Sequence, residues 1–251
     1  MKIHNKTGSF LLACSLALLA GCGSDGTSTS LTDNLIGTAS AATLDTASNT
    51  STTTDTAVVT TIPTVTTPTL AAQPLTVAET ETLLFVREEE KLARDVYLTL
   101  YNQWGTNIFQ NIANNGEQQH MDAIKVWVDA FGYVDPVSSN EIGAFTDPVI
   151  LKLYNDLVAR GMTSSQEALM VGGFIEEYDI KDLQDAIDEA KQGTNQAAVI
   201  QTYDSLLCGS RNHLRSFVGQ IEKDGLVYQA QYVSQATVDA IVNSPDEKCG
   251  Q

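Results

Sequence analysis

"FQNIANNGEQQHMDAIKVWVDAF", residues 109–131, decides the fold of this chain. Phe109, Ile112, Ala113, Ile124, Trp127, Val128 and Phe131 recur at steps of three and four, the stripe of a helix that buries one face. The same steps land on Glu117 and His120. A helix that turns a carboxylate and an imidazole toward its own core needs something there to receive them, because unpaired buried charge is costly.

Working outward, the rest of residues 75–235 reads as one all-α domain. A first helix opens at the capping box Thr76-x-x-Glu79 and runs to Gly105, with the stripe Leu83, Val86, Ala93, Tyr97, Leu100 and Trp104. The second spans Asn107 to Gly132. A long crossover, "YVDPVSSNEIGAFTD" (133–147), leads to a shorter helix capped by Asp147, with Pro148 at its first position, ending near Gly161. The third long helix opens at Ser164-x-x-Glu167 and reaches about Gln192; the fourth spans Asn195 to Asp224, before Gly225. Beyond it "LVYQAQYVSQATVDAIV" holds one more short helix, and residues 236–251 read as a C-terminal tail. Short links make antiparallel neighbours. The long crossover sets the second and third long helices parallel, as in ferritin-like four-helix bundles.

The first 74 residues read differently. Lys2 and Lys6 precede the apolar run "FLLACSLALLAG", too short for a membrane span, and the run ends in "LAGC". That order fits a lipoprotein signal peptide over residues 1–21, with Cys22 as the lipidated first residue of the mature chain. Residues 22–74, rich in Thr, Ser and Ala and without aromatics, cannot bury enough apolar area to offset their ordering and read as a disordered tether. The expectation is a bacterial cell-envelope protein, anchored to a membrane through Cys22, on the periplasmic or outer-membrane face. In an oxidising compartment Cys208 and Cys249 form a disulfide or remain a buried and a free thiol. With 31 acidic against 14 basic residues, the net charge of −17 argues against nucleic acid as a partner.

Polar residues on the apolar stripes define a candidate site. Glu90 lies in phase with Leu83, Val86, Ala93 and Tyr97. In the third long helix Glu176 lies on the stripe and Glu177 beside it; in the fourth His213 lies between Leu206, Ser210 and Phe217. Glu88 reads as part of a solvated acidic face. The chain has 3 histidines, and His4 leaves with the signal, so His120 and His213 are those that remain. Carboxylates mixed with imidazoles suit iron or manganese, and a bound cation settles their mutual repulsion. Ferritin-like metal bundles use one Glu from each of two helices and Glu-x-x-His from each of the other two.

"REEEKLARDVY", "GEQQHMDAI", "IEEYDIKDLQDAI" and "GSRNHLRSF", in this order, resemble the bacterial and archaeal domain of unknown function 2202, within the ferritin-like superfamily. The resemblance covers about residues 78–230. Glu90, Ala93 and Tyr97 also resemble the Glu-x-x-Ala-x-x-x-Tyr pattern of rubrerythrin-type first helices. It implies a four-helix bundle with a dinuclear metal site and names no reaction. One position departs from the pattern: the fourth helix reads Ser210-x-x-His213, so a carboxylate is missing. Either Glu89 or Glu177 compensates, or the site is asymmetric, holds one ion or binds weakly.

Three functions follow. The first is an oxidoreductase acting on oxygen, peroxide or ferrous iron, supplied by an external electron donor because no four-cysteine site is present. There Glu90 and Glu176 bridge or cap two ions, Glu117, His120 and His213 are terminal ligands, and Tyr97 and Ser210 stand behind them. The second is a metal-binding or scavenging lipoprotein without turnover. The third is a metal-free interaction module whose inward acids pair with the histidines or with Arg87, Arg94 or Arg211. Each is compatible with a small oligomer.

Overall fold

The computed structural model describes residues 74–249. The expected signal peptide, Cys22 and the expected tether up to residue 73 lie outside the described residues. Seven α-helical segments are present among those described: α1 (Val77–Trp104), α2 (Asn107–Ile112), α3 (Gln118–Phe131), α4 (Pro148–Gly161), α5 (Ser165–Gln192), α6 (Ala197–Lys223) and α7 (Gln235–Val242). A π-helical turn, Ala113–Glu117, joins α2 to α3. The domain is all-α.

Local chemistry sets the ends. Thr76 and Glu79 exchange bonds in a complete capping box, and Gly105 closes α1 with a left-handed φ of 67°. Asp147 accepts from Val149 and Ile150 ahead of Pro148, and Ser164 accepts from Glu167 at the start of α5. The sequence reading of one unbroken second helix is corrected: the Gln118 N–H reaches back five residues to the Ala113 carbonyl. Asn114, Asn115 and Gly116 are poor helix formers and yield most easily to the wider turn.

Contacts fix the directions. Thr82 donates to Glu189 and Tyr97 to Glu176, so α1 and α5 are antiparallel. Arg87 donates to the Met121 carbonyl while Tyr97 packs on Phe109, so α1 also opposes α2 and α3. Ser210 meets Asp179 and Phe217 meets Gly172, so α5 and α6 are antiparallel. The parallel pair, α3 and α5, are therefore the two helices joined by the crossover. A β-carbon on Gly172 would stand 2.3 Å from the Phe217 ring; the glycine lets α5 and α6 approach closely. Tyr97, Phe109 and Phe217 form an aromatic cluster with ring centroids 5.2–6.1 Å apart.

The charged run on α1 serves a second face. Arg87 pairs with Asp135, Lys91 donates to the Glu141 carbonyl, Arg94 donates to Asn140, and Asp95 accepts from Gly143 N. Glu88, read from sequence as solvated, is 1% exposed and accepts from the Thr146 and Asp147 N–H groups at 2.5 and 2.7 Å. The crossover is thus clamped to α1 through its backbone. At the other end, α7 packs on α6, Arg211 and Arg215 bind Glu247, and Cys208 and Cys249 form a disulfide. The segment read from sequence as a tail is held to the domain by these bonds. No helix among the described residues is long and apolar enough to cross a membrane.

Candidate metal centre

Four helices deliver one buried cluster. Glu90 comes from α1, Glu117 from the last position of the π turn, His120 from the first turn of α3, Glu176 from α5 and His213 from α6. His120 Nδ1 lies 3.1 Å from Glu90 Oε2 and 3.3 Å from Glu117 Oε2. His213 Nδ1 lies 3.0 Å from Glu117 Oε1 and 3.5 Å from Glu176 Oε2. Glu117 therefore offers one oxygen to each imidazole, and the rings stand 5.4 Å apart. Ligand atoms of Glu90, Glu117 and His120 fall within 4.8 Å of one another, as do those of Glu117, Glu176 and His213. Glu117 is thus common to both groups of ligand atoms. The reason is position: Glu117 ends the π turn between the two imidazoles.

Paired glycines seat the imidazoles. A β-carbon on Gly116 would stand 2.4 Å from His213 Nε2, and one on Gly209 would stand 2.4 Å from His120 Nε2. Each ring thus meets the opposite helix by its edge, with Nε2 toward a glycine and Nδ1 toward the carboxylates. Sequence reasoning missed these glycines. The signal was available: "GEQQH" and "GSRNH" both place Gly four residues before His.

Asp179 was also missed. It lies on α5 three residues beyond Glu176, is 4% exposed, and accepts a short hydrogen bond from the Ser210 hydroxyl. Tyr97 supports the other acid, donating to Glu176 Oε1 at 2.5 Å. Two residues expected near the site do other work. The Glu177 carboxylate is committed to Tyr228 Oη and to the N–H groups of Gln231, Tyr232 and Val233, so it clamps the connection after α6. It does not replace the missing acid of α6. Glu89 is buried beside Leu92, Phe174, Tyr178 and Asp179, outside both ligand triads. The arginines are committed elsewhere: Arg87 to Asp135, Arg94 to Asp95, Arg211 to Glu247.

The electrostatics follow from burial without cations. Among the described residues, the ion-pair partners of Glu90, Glu117 and Glu176 are the two imidazoles. Burial, opposed by His120 and assisted by Glu117, pushes Glu90 up to about 7. Glu176 is raised by burial and by the charge of Glu117; Asp179 is raised well above its ordinary value by burial and by Glu90 and Glu117. For Glu117 burial is outweighed by the attraction of His213 and His120, which holds it below the usual carboxylate range. Burial works against protonation of the imidazoles but the acids prevail. Glu90 and Glu117 raise His120 well above its ordinary value, and Glu117 and Glu176 bring His213 up to about 10. Several atoms aimed inward have no hydrogen-bond partner: Glu90 Oε1, Glu117 Oε1, Asp179 Oδ1 and His213 Nδ1. The short Glu117–His213 approach is a charge contact without the alignment of a hydrogen bond. Such orphaned lone pairs are rare in buried positions and suit a cation, which would favour ionised carboxylates and neutral imidazoles.

Comparison with known proteins follows the same span. Residues 79–245 match the family described as "Uncharacterized protein domain (DUF2202)". The chain is 43% identical over 180 residues to the uncharacterized protein MJ0754 of Methanocaldococcus jannaschii, an alignment covering 72% of this chain and 95% of that protein. It also resembles the crystal structure of hypothetical protein MJ0754 from Methanococcus jannaschii DSM 2661, with a TM-score of 0.67 and 44% identity over 71% of this chain and 99% of the other.

Proposed function

Because this chain belongs to the DUF2202 family, whose description carries no activity, we propose a function from the site alone. It is a ferritin-like four-helix protein that holds two iron or manganese ions and acts as an oxidoreductase on oxygen, peroxide or ferrous iron. The observation that carries this reading is the buried set of acids and imidazoles, two triads sharing Glu117, with no arginine or lysine partner among the described residues. A purely structural polar core would be expected to match its acids with as many cationic side chains, whereas here three carboxylates face two imidazoles. Here the arginines that could do so are committed elsewhere. Antiparallel neighbours and a crossover joining the parallel pair α3 and α5 support the ferritin-like assignment.

In this reading Glu90 and His120 would hold one ion and Glu176 and His213 the other, with Glu117 within reach of both. The ions supply electron transfer and Lewis acidity when bound. Tyr97 fixes Glu176 by donating to Oε1, and its buried hydroxyl stays protonated, held well above its ordinary range by burial and by Glu176. Gly116 and Gly209 leave room for the two ring edges. The aromatic cluster of Tyr97, Phe109 and Phe217 closes one side of the site with apolar surface. The electron donor is external. The expected attachment of the mature chain to a bacterial envelope membrane through lipid on Cys22 belongs to the same proposal, and intact-mass measurement of the exported protein tests it.

The functional test is oxygen and peroxide consumption by iron-loaded and manganese-loaded protein, beside Glu117→Ala. Turnover lost in the variant supports the oxidoreductase. Tight metal retention without turnover favours the scavenging function. A folded protein that retains neither metal refutes both.

A further inference from the structure

We infer that the carboxylate absent from α6 is supplied by α5: Asp179 is a metal ligand, presented to the site by Ser210. This inference rests on the dinuclear reading and adds to it a residue outside both triads.

Two motifs face each other across the site, Gly116-Glu117-x-x-His120 and Gly209-Ser210-x-x-His213. Each glycine receives the imidazole of the other motif at the same 2.4 Å separation, so the motifs are counterparts across the site. Ser210 then occupies the place that Glu117 occupies on its own helix. A glutamate there would extend beyond Cβ into the cluster; serine stops at its hydroxyl. The Ser210 hydroxyl donates to Asp179 Oδ2, so a carboxylate of α5 lies where the longer side chain of α6 would have carried its own.

The helix phase agrees. Asp179 follows Glu176 by three residues, which places both acids on one face of α5. The corresponding position after Glu90 on α1 is Ala93. One helix therefore lacks an acid that its neighbour supplies, and the total of four carboxylates and two imidazoles matches that of such bundles. Asp179 Oδ2 is engaged by Ser210, while Oδ1 is buried and has no hydrogen-bond partner. A carboxylate with one oxygen held and the other bare is how a supported metal ligand is arranged. A carboxylate serving only to bind Ser210 would not need to sit beside the charges of Glu90, Glu117 and Glu176.

The test titrates the full chain with Mn²⁺, and anaerobically with Fe²⁺, for wild type, Asp179→Asn, Asp179→Ala and Asp179→Ala/Ser210→Glu. Metal-free unfolding is followed in chelator. The expected result is two ions per wild-type chain and loss of one, or at least a tenfold weaker second site, in both single variants. Restoration in the double variant is expected because Ser210→Glu returns the acid to α6. Metal-free Asp179→Asn is expected to melt no lower than wild type, since a buried acid has been removed from an acidic cluster; a markedly lower melting temperature would assign Asp179 a structural role instead. Two ions bound by Asp179→Asn with wild-type affinity would overturn the inference and leave the dinuclear site standing. No metal in the wild type would overturn both.

Discussion

Gly209→Ala separates the metal site from the fold that carries it. The added β-carbon would lie 2.4 Å from His120 Nε2 and 2.9 Å from Cε1. Ordinary contact needs about 3.5 Å, so the ring must retreat by about 1 Å. Metal–nitrogen distances tolerate about 0.2 Å, so a retreat of that size removes His120 from one ion. The expected loss is about 100-fold or more in affinity for that ion, near 2.7 kcal/mol. The metal-free fold should lose no more than about 2 kcal/mol. Alanine in mid-helix gains about 1 kcal/mol over glycine, against an overpacking cost of about 1–3 kcal/mol. Titration with Mn²⁺ against a fluorescent chelator reads the first quantity, and thermal unfolding in excess chelator reads the second. Wild-type affinity in Gly209→Ala would refute the reasoning, because it would mean that His120 does not need the place the glycine gives it. Gly116→Ala should act in the same way on His213.

Further outcomes are expected. In chelator, the protein should melt highest in mild acid and lose stability as pH rises. Glu90, raised from 4.5 to about 7, leaves the folded state holding more protons than the unfolded between those values, so stability drains across that window. His213, raised to about 10, contributes stability that is fully present below its ordinary 6.5 and lost as pH rises toward 10. Saturating Mn²⁺ should reverse the trend from pH 5 to 8, because the ligands must deprotonate to bind; a metal-free melting temperature that climbs over that range would contradict this account. Glu177→Ala removes the acceptor of four donors and should cost about 3–5 kcal/mol in denaturant unfolding while leaving metal stoichiometry unchanged. Cys208→Ser/Cys249→Ser opens a link across 41 residues and should lower stability by about 2–4 kcal/mol, read by the same unfolding assay.

Much of the scaffold was legible because its signals are local. Thr76, Asp147 and Ser164 carry caps that act within four residues, and each begins the helix its chemistry announces. The inward phase of Glu90, Glu117, His120, Glu176 and His213 was readable for the same reason: a stripe at steps of three and four needs only one helix. What escaped depended on pairs of elements. Glu88 was read as solvated because nothing in α1 shows that the backbone of Thr146 and Asp147 will fold over it. Glu177 differs from Glu176 by one residue, yet its carboxylate serves a loop more than fifty residues later. Asp179 drew no notice because its partner, Ser210, lies on another helix. The π turn was hidden since one extra residue in a turn leaves the apolar stripe on both sides intact.

The most direct test of the central claim is anomalous X-ray scattering from crystals of the metal-loaded protein, recorded at the iron and manganese edges. The account predicts two peaks between α1, α3, α5 and α6, one beside His120 and one beside His213, with Glu117 touching both. A well-ordered bundle with no anomalous peak there, its acids and imidazoles simply paired with one another, would contradict it.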